Sequence, residues 1–314
     1  MTACAVTSRA PLAADRSHPR KTLLRKLLLQ LDSSRHPSAF DQVVAYDGGA
    51  DEIMSYGGVV EGEVRDLVHG VIFTRGLKDL RHSAIFIGGA DMAAGERMLA
   101  AARAAFFGPF SVSVLLDSNG SNTTAVAAVA KVMQTVGDVS GKRAVVTAGT
   151  GPVGQRVAGL LAARGAEVVI TSRKAEEGEH IAEATAQRFG GSIHSVLMRD
   201  SSAAAAILGG AEILVNAGPA GVELVPREAW ASRPGLLVAV DLNAVPPLGV
   251  AGIDVNDNGV TRDGVTVFGA LGVGGLKMKV HKACIARLFE RNDHVFDAET
   301  IFDVAQTLMP ATTA

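Results

Sequence analysis

An α/β protein of two units, the second a doubly wound parallel sheet, is predicted by three features of the sequence. Strand-like and helix-like patterns alternate along most of the 314 residues, a length that accommodates two domains. Apolar residues make up 48% of the chain and aromatic ones only 4%, so the core is built from Ala, Val, Leu and Ile, as in sheets covered by helices. Beyond residue 141, short β-branched runs recur with helical patterns between them, the rhythm of a doubly wound sheet.

The elements read as follows. Residues 1–20 are rich in Arg, Ser and Pro, with Asp15 the only acid; they lack the apolar stretch of a secretory signal and are expected to be a disordered extension. Residues 26–32 (KLLLQLD) read as a strand, and Ser38 can cap a short helix containing Phe40, Val43 and Val44. Residues 47–51 form a loop. Residues 71–74 and 84–88 read as buried strands. Asp91 opens a helix that ends near Gly108. A strand over 111–116, a polar loop over 117–124 and an Ala/Val-rich helix to Val136 complete a first domain over 21–136. Residues 137–141 form the junction. Strands are expected at 144–148, 168–171, 192–197, 213–216, 236–242 and 266–268, giving a second domain over 137–272. In 273–314, a helical pattern after Gly274-Gly275 and another over 299–308 are expected to return to the first domain.

The turn after the strand at 144–148 carries the strongest chemical signal. It reads Gly149-Thr150-Gly151-Pro152-Val153-Gly154, between a β-branched run and a helix. The first glycine permits the tight turn, the second lets a pyrophosphate approach the backbone, and the third lets helix and strand pack closely. The helix N-terminus then offers N–H groups and a positive dipole end to the phosphates. This is the fingerprint of a Rossmann dinucleotide site. An NAD site usually ends its second strand with an acid on the ribose hydroxyl. Here Thr171, Ser172, Arg173 and Lys174 stand instead: either solvated loop residues, or two hydroxyls and two cations for the 2′-phosphate of NADP. NADP is the expected cofactor, with NAD a weaker alternative. Asn216, Ala217 and Gly218 after the fourth strand, and Asn243 after the fifth, fall where such sheets bind ligands.

Other classes find no support. The net charge of −2 gives no electrostatic footprint for nucleic acid, and no apolar run approaches the ~20 residues of a membrane span. Cys4 and Cys284 form no motif, so a reducing cytoplasm is the default. No metal-ligand spacing or hydrolase nucleophile elbow is present, and His281 reads as a packing or surface residue. Two polar segments remain open. Asp117, Asn119, Ser121, Asn122 and Thr123 are either a helix cap or a donor/acceptor platform for a polar ring. Asp47, Gly48, Gly49 and Asp51 are either a turn or a substrate-binding pair of carboxylates. Lys277 and Lys279, two apart on a helix, cannot share a face, so one can point into a cleft.

Several stretches together resemble the NADP-dependent methylene-tetrahydromethanopterin dehydrogenases of methylotrophic bacteria: FDQVVAYDGGAD (40–51), IFIGGADMAAGER (85–97), LDSNGSNTTA (116–125), AGTGPVG (148–154), LNAVPPLGVAGID (242–254) and FGALGVGGLKMKVHKACIARLF (268–289). The resemblance covers about residues 26–308. It implies a pterin-binding first domain, hydride transfer from methylene-tetrahydromethanopterin to NADP, Lys277 as the catalytic lysine, and a homo-oligomer, a trimer. The related methylene-tetrahydrofolate dehydrogenases carry a Tyr-x-x-x-Lys pair; here Tyr56 is followed by Val60, so that pair is missing. Methylene-tetrahydrofolate dehydrogenase is the alternative reading, and a shikimate- or glutamate-type dehydrogenase a more distant one. A redox-sensing regulator would need the basic DNA-binding patch that the sequence lacks.

Overall fold

The computed structural model describes residues 24–309, and the extension expected over 1–20 lies outside them. Alternating strands and helices begin with β1 (Leu27–Asp32), α1 (Ala39–Asp47), β2 (Glu52–Gly57), α2 (Glu61–Ile72), β3 (Ser83–Gly88), α3 (Met92–Ala104), β4 (Ser113–Leu116) and α4 (Ser121–Val136). Ser38 caps α1 by accepting the Asp41 N–H, and Asp91 caps α3 by accepting that of Ala94. A strand over 71–74 does not form. Val64, Val68, Val71 and Ile72 are buried together on one face of α2, so helical periodicity overrides the local β-propensity. Conversely, β2 went unpredicted because it is an edge strand with five of its six residues exposed, and it has no hydrophobic pattern to read.

The second run consists of β5 (Arg143–Thr147), α5 (Pro152–Ala162), β6 (Glu167–Ser172), α6 (Ala175–Phe189), β7 (Ser192–Leu197), α7 (Ala204–Ile207), β8 (Ile213–Asn216), α8 (Arg227–Trp230), β9 (Val238–Asp241), β10 (Asn258–Arg262), β11 (Val265–Phe268) and α9 (Ala270–Leu288). The chain closes with β12 (Val295–Phe296) and α10 (Ala298–Leu308). An unpredicted hairpin joins β10 to β11 through Asp263-Gly264, both at positive φ, the turn chemistry of a two-residue loop. Helix α9 begins at Ala270 and runs through Gly274-Gly275 rather than starting after them. A Cβ on Gly272 would stand 2.0 Å from the Asp257 carbonyl oxygen, so this glycine serves close packing against the 254–258 turn.

Two sheets result. In the first, the order β12-β4-β3-β1-β2 is wholly parallel; in the second, β10-β11-β9-β8-β5-β6-β7 is parallel except for β10. Strand order reverses between β1 and β3 in the first sheet and between β5 and β8 in the second. At such switch points helices leave to opposite faces and a crevice opens beyond the carboxyl ends of the strands. Helix α4, with Ala125 to Ala130 all buried, packs against α5, α9 and α10, and its small side chains let one apolar core run between both sheets.

Candidate active site

Each switch point opens into a cavity. The one beyond β5, β6 and β8 has a volume of about 370 Å³. Its three loop glycines differ in what the fold asks of them. A Cβ on Gly149 would meet the Ile170 Cβ at 2.5 Å, and one on Gly154 the Gly149 Cα at 2.7 Å. A Cβ on Gly151 would meet nothing nearer than the Ala148 carbonyl oxygen at 3.5 Å, an ordinary contact. The outer two glycines are required by packing, whereas the middle one is not, yet it lines the cavity with Thr150 and Pro152. Val153 instead packs towards the core. Helix α5 starts there with Pro152 in its first turn, no acidic residue in that turn and no side-chain cap, which leaves its positive end to a ligand. These features fit the pyrophosphate of a dinucleotide.

At the end of β6 the Thr171 hydroxyl accepts the Ala148 N–H at 2.9 Å, and Ser172 bonds the Lys174 backbone. Both hydroxyls thus shape the loop. Arg173 is exposed and lines the cavity, while Lys174 faces Glu177 at 3.5 Å on the surface. Asn216 and Asn243 are placed differently from the expectation. The Asn216 amide is spent on Thr147, Gly218 N and Asp241, and that of Asn243 on Pro219, Val245 and Pro247. They hold the loops beside the cavity from behind, whereas Ala217 lines it. Gly218 is packed against Leu224. Sequence reasoning missed the apolar wall formed by Met198, Val222 and Leu224, because nothing in those residue types marks them.

The second cavity, of about 320 Å³, lies beyond β1 and β3. Buried Asp32 builds its floor by accepting the N–H groups of Ser34 at 2.7 Å and Ser38 at 3.0 Å. Asp41 and Phe40 enter from α1, Asn119 and Gly120 from the turn after β4, and Lys277 from α9. The Lys277 ammonium stands 5.6 Å from the centre of the Phe40 ring, and a Cβ on Gly120 would be 2.6 Å from it. Lys279 is not among the lining residues.

The polar segment after β4 divides in the same way. Asp117 accepts the Thr123 N–H at 3.0 Å and its hydroxyl at 2.6 Å, Ser121 bonds the Ser118 carbonyl, and Asn122 bridges the Leu116 carbonyl and Arg156. These four are buried scaffold, and of the predicted residues in this segment only Asn119 reaches the cavity. Asp47, Gly48, Gly49 and Asp51 lie at the opposite end of the sheet, before β2 begins. Asp47 pairs with Lys282 at 2.7 Å, a Cβ on Gly48 would meet the Ile285 Cβ at 2.6 Å, Gly49 takes a φ of 98°, and Asp51 accepts the Lys26 N–H at 2.7 Å. They form the turn of the two open readings.

Beneath the second cavity, buried His281 stacks on Phe86 and sets its Nδ1 3.9 Å from the Asp117 carboxylate, with no hydrogen-bond partner for either ring nitrogen. Burial pushes Asp117 up to about 6, against the Lys277 charge and the Thr123 bonds. Burial likewise pushes His281 down to about 4, against the Asp41 charge. The two act oppositely on stability. Folded Asp117 holds its proton above the unfolded value of 3.8, so its contribution falls as pH rises from about 4 to 6. Folded His281 loses its proton below the unfolded value of 6.5, so its contribution grows over about 4 to 6.5. Each is worth on the order of 3 kcal/mol, and the two oppose each other over about pH 4 to 6. His281→Phe should therefore unmask a loss of about 3 kcal/mol as pH rises from about 4 to 6, read by denaturant titration. Parallel pH profiles for variant and parent would refute this opposition.

The two halves of the chain are tied by buried Arg156, whose guanidinium reaches Asn122 at 3.0 Å and Glu96 at 2.7 Å; Arg188 extends the network from Glu96 to Glu299. Among the described residues no cluster of His, Cys, Asp or Glu is suited to hold a metal, and no helix is long and apolar enough to cross a membrane.

A family model described as methylene-tetrahydromethanopterin dehydrogenase, N-terminal, matches residues 39–119. The bifunctional protein MdtA of Methylorubrum extorquens is 50% identical over 285 residues, covering 90% of this chain and 99% of that protein. The NAD(P)-dependent methylenetetrahydromethanopterin dehydrogenase of the same organism is 36% identical over 280 residues, covering 86% and 94%. Among solved structures, shikimate 5-dehydrogenase of Listeria monocytogenes superposes with a TM-score of 0.53 at 14% identity, covering 93% of this chain and 99% of that one, a likeness of fold.

Proposed function

Since the chain belongs to the methylene-tetrahydromethanopterin dehydrogenase family, we propose that it catalyses reversible hydride transfer from methylene-tetrahydromethanopterin to NADP, giving methenyl-tetrahydromethanopterin and NADPH in one-carbon oxidation. The observation that carries this reading is the pairing of two cavities at two switch points. One is bordered by a glycine that the fold does not need, the other by a lysine and an aromatic ring.

The chemistry asks little of the protein beyond placement. The reacting carbon lies between two nitrogens whose lone pairs expel the hydride and delocalise the resulting cation, so no acid/base pair is required. When bound, NADP supplies the carbon that accepts the hydride. Gly151 and the start of α5 would hold its pyrophosphate and Arg173 its 2′-phosphate, while Phe40, Asn119 and Lys277 orient the pterin and keep water out. Absorbance growth at 340 nm with NADP and methylene-tetrahydromethanopterin tests the assignment directly. Methylene-tetrahydrofolate and NAD, run in parallel, test the alternative substrate and the weaker cofactor; no signal with any pair would end the dehydrogenase reading. The same reading carries a cytoplasmic homo-oligomer, a trimer, which light scattering checks.

Cofactor choice rests on Arg173. Arg173→Ala should raise the Michaelis constant for NADP much more than that for NAD, since one charge-assisted phosphate contact is worth about 1.5–3 kcal/mol. An equal rise for both cofactors, or none, would remove Arg173 as the phosphate ligand.

A further inference from the structure

We infer that Asp41 supplies the negative charge facing the cation formed when the pterin gives up its hydride, and so makes the first-sheet cavity selective for the oxidised, cationic pterin. This rests on the dehydrogenase reading above and deepens it.

The charge balance of the reaction creates the need. The methylene carbon loses a hydrogen with both bonding electrons, and a flanking nitrogen lone pair closes a new C–N double bond. The pterin leaves as an amidinium with one positive charge. The hydride passes to the oxidised nicotinamide ring, whose positive charge it cancels, and no proton is exchanged. A site that favours the transition state therefore needs negative charge on the pterin side.

Two carboxyl groups line that cavity, Asp32 and Asp41. Asp32 is committed to the N–H groups of Ser34 and Ser38. Asp41, half-buried on the first turn of α1, has only the Ser38 hydroxyl beside it; among the described residues no N–H group donates to its carboxylate. Its charged neighbours are Asp117 at the end of β4, and Lys277 and His281 one turn apart on α9. Burial keeps His281 neutral near pH 7, and sealed Asp117 shares the Lys277 charge. With Asp32 on the same cavity, the ionised carboxylates outnumber the single Lys277 charge, and Asp41 is the one that both opens to the cavity and lacks a fixed donor. A neutral tetrahydropterin leaves that imbalance in place, whereas an amidinium completes it. Burial already raises the Asp41 carboxyl above its ordinary value, as expected of a charge awaiting its partner.

The test compares binding of methenyl-tetrahydromethanopterin, the cation, with that of neutral tetrahydromethanopterin, by calorimetry on the full chain near pH 7. Asp41→Asn keeps the shape and removes the charge. It should weaken binding of the cation at least tenfold and that of the neutral pterin less than threefold, with NADPH affinity unchanged as the check on folding. Asp41→Glu should keep the preference for the cation. Equal weakening of both pterins, or none, would overturn the charge role while leaving the dehydrogenase reading intact. A parent protein that binds neither pterin would overturn both.

Discussion

Gly151→Val abolishes NADPH binding and leaves the protein folded: this is the result expected if the loop after β5 cradles a pyrophosphate. The backbone at Gly151 is extended, with φ −75° and ψ 168°, a conformation that valine adopts freely. Its added Cβ meets only the Ala148 carbonyl oxygen at 3.5 Å, so the fold tolerates it. The rest of the side chain must enter the cavity or its rim, where the phosphates would lie against the start of α5. Fluorescence titration with NADPH should show no saturable binding, and the thermal midpoint should stay within a few degrees of the parent. Gly154→Val is the contrasting control. Its Cβ would sit 2.7 Å from the Gly149 Cα and 2.8 Å from the Ala148 carbonyl oxygen, so that variant should lose stability as well. A Gly151→Val protein that binds NADPH like the parent would remove the dinucleotide site.

The contrast between these glycines shows what a sequence can and cannot convey. The motif marked all three, since each is needed for the same turn, but only the surroundings separate the two that packing demands from the one it spares. Strand 213–216 is legible to the residue because a fully buried β-branched run has little alternative to a strand, whereas 192–197 matches its expected bounds although four of its six residues are exposed. The exposed strand β2 and the helical placement of Val71 escaped, since burial, which decides both, is a property of the partner elements. The candidate site follows the same rule. Polar residues are legible as polar, but whether they face a cavity or brace a loop depends on neighbours far along the chain. Asp117 and Asn216 spend their groups internally, whereas Asp41, which the sequence reading placed only in a helix start, opens to the cavity. His281 and Asp117 meet across 164 residues of sequence, and Arg156 and Glu96 across 60, distances over which no local pattern carries information.

Lys277→Ala should lower the turnover number by at least about tenfold, as expected when an oriented electrostatic group is lost from a reacting centre, while the NADP dissociation constant stays nearly unchanged. The geometry gives the reason for both halves. The ammonium borders the first-sheet cavity, between the Phe40 ring and the left-handed turn at Gly120, and the nucleotide cavity is lined by other residues. Lys279, two residues on, is turned from that face and bears instead on Lys131, so Lys279→Ala should behave like the parent. Gly120→Ala offers a second handle on the same group. Its Cβ would fall 2.6 Å from the Lys277 nitrogen and push the ammonium aside, and at φ 58° the substitution costs only about 1–2 kcal/mol of stability. It should therefore reproduce part of the turnover loss in a folded protein. Steady-state rates at saturating NADP, with cofactor affinity measured separately, decide between the outcomes. A loss confined to Lys279→Ala would put the other face of α9 against the pterin. Parent-like turnover in both lysine variants would mean that Asn119, Phe40 and the loop over 33–37 position the pterin sufficiently without a cation, because hydride departure is driven by the substrate's own nitrogens.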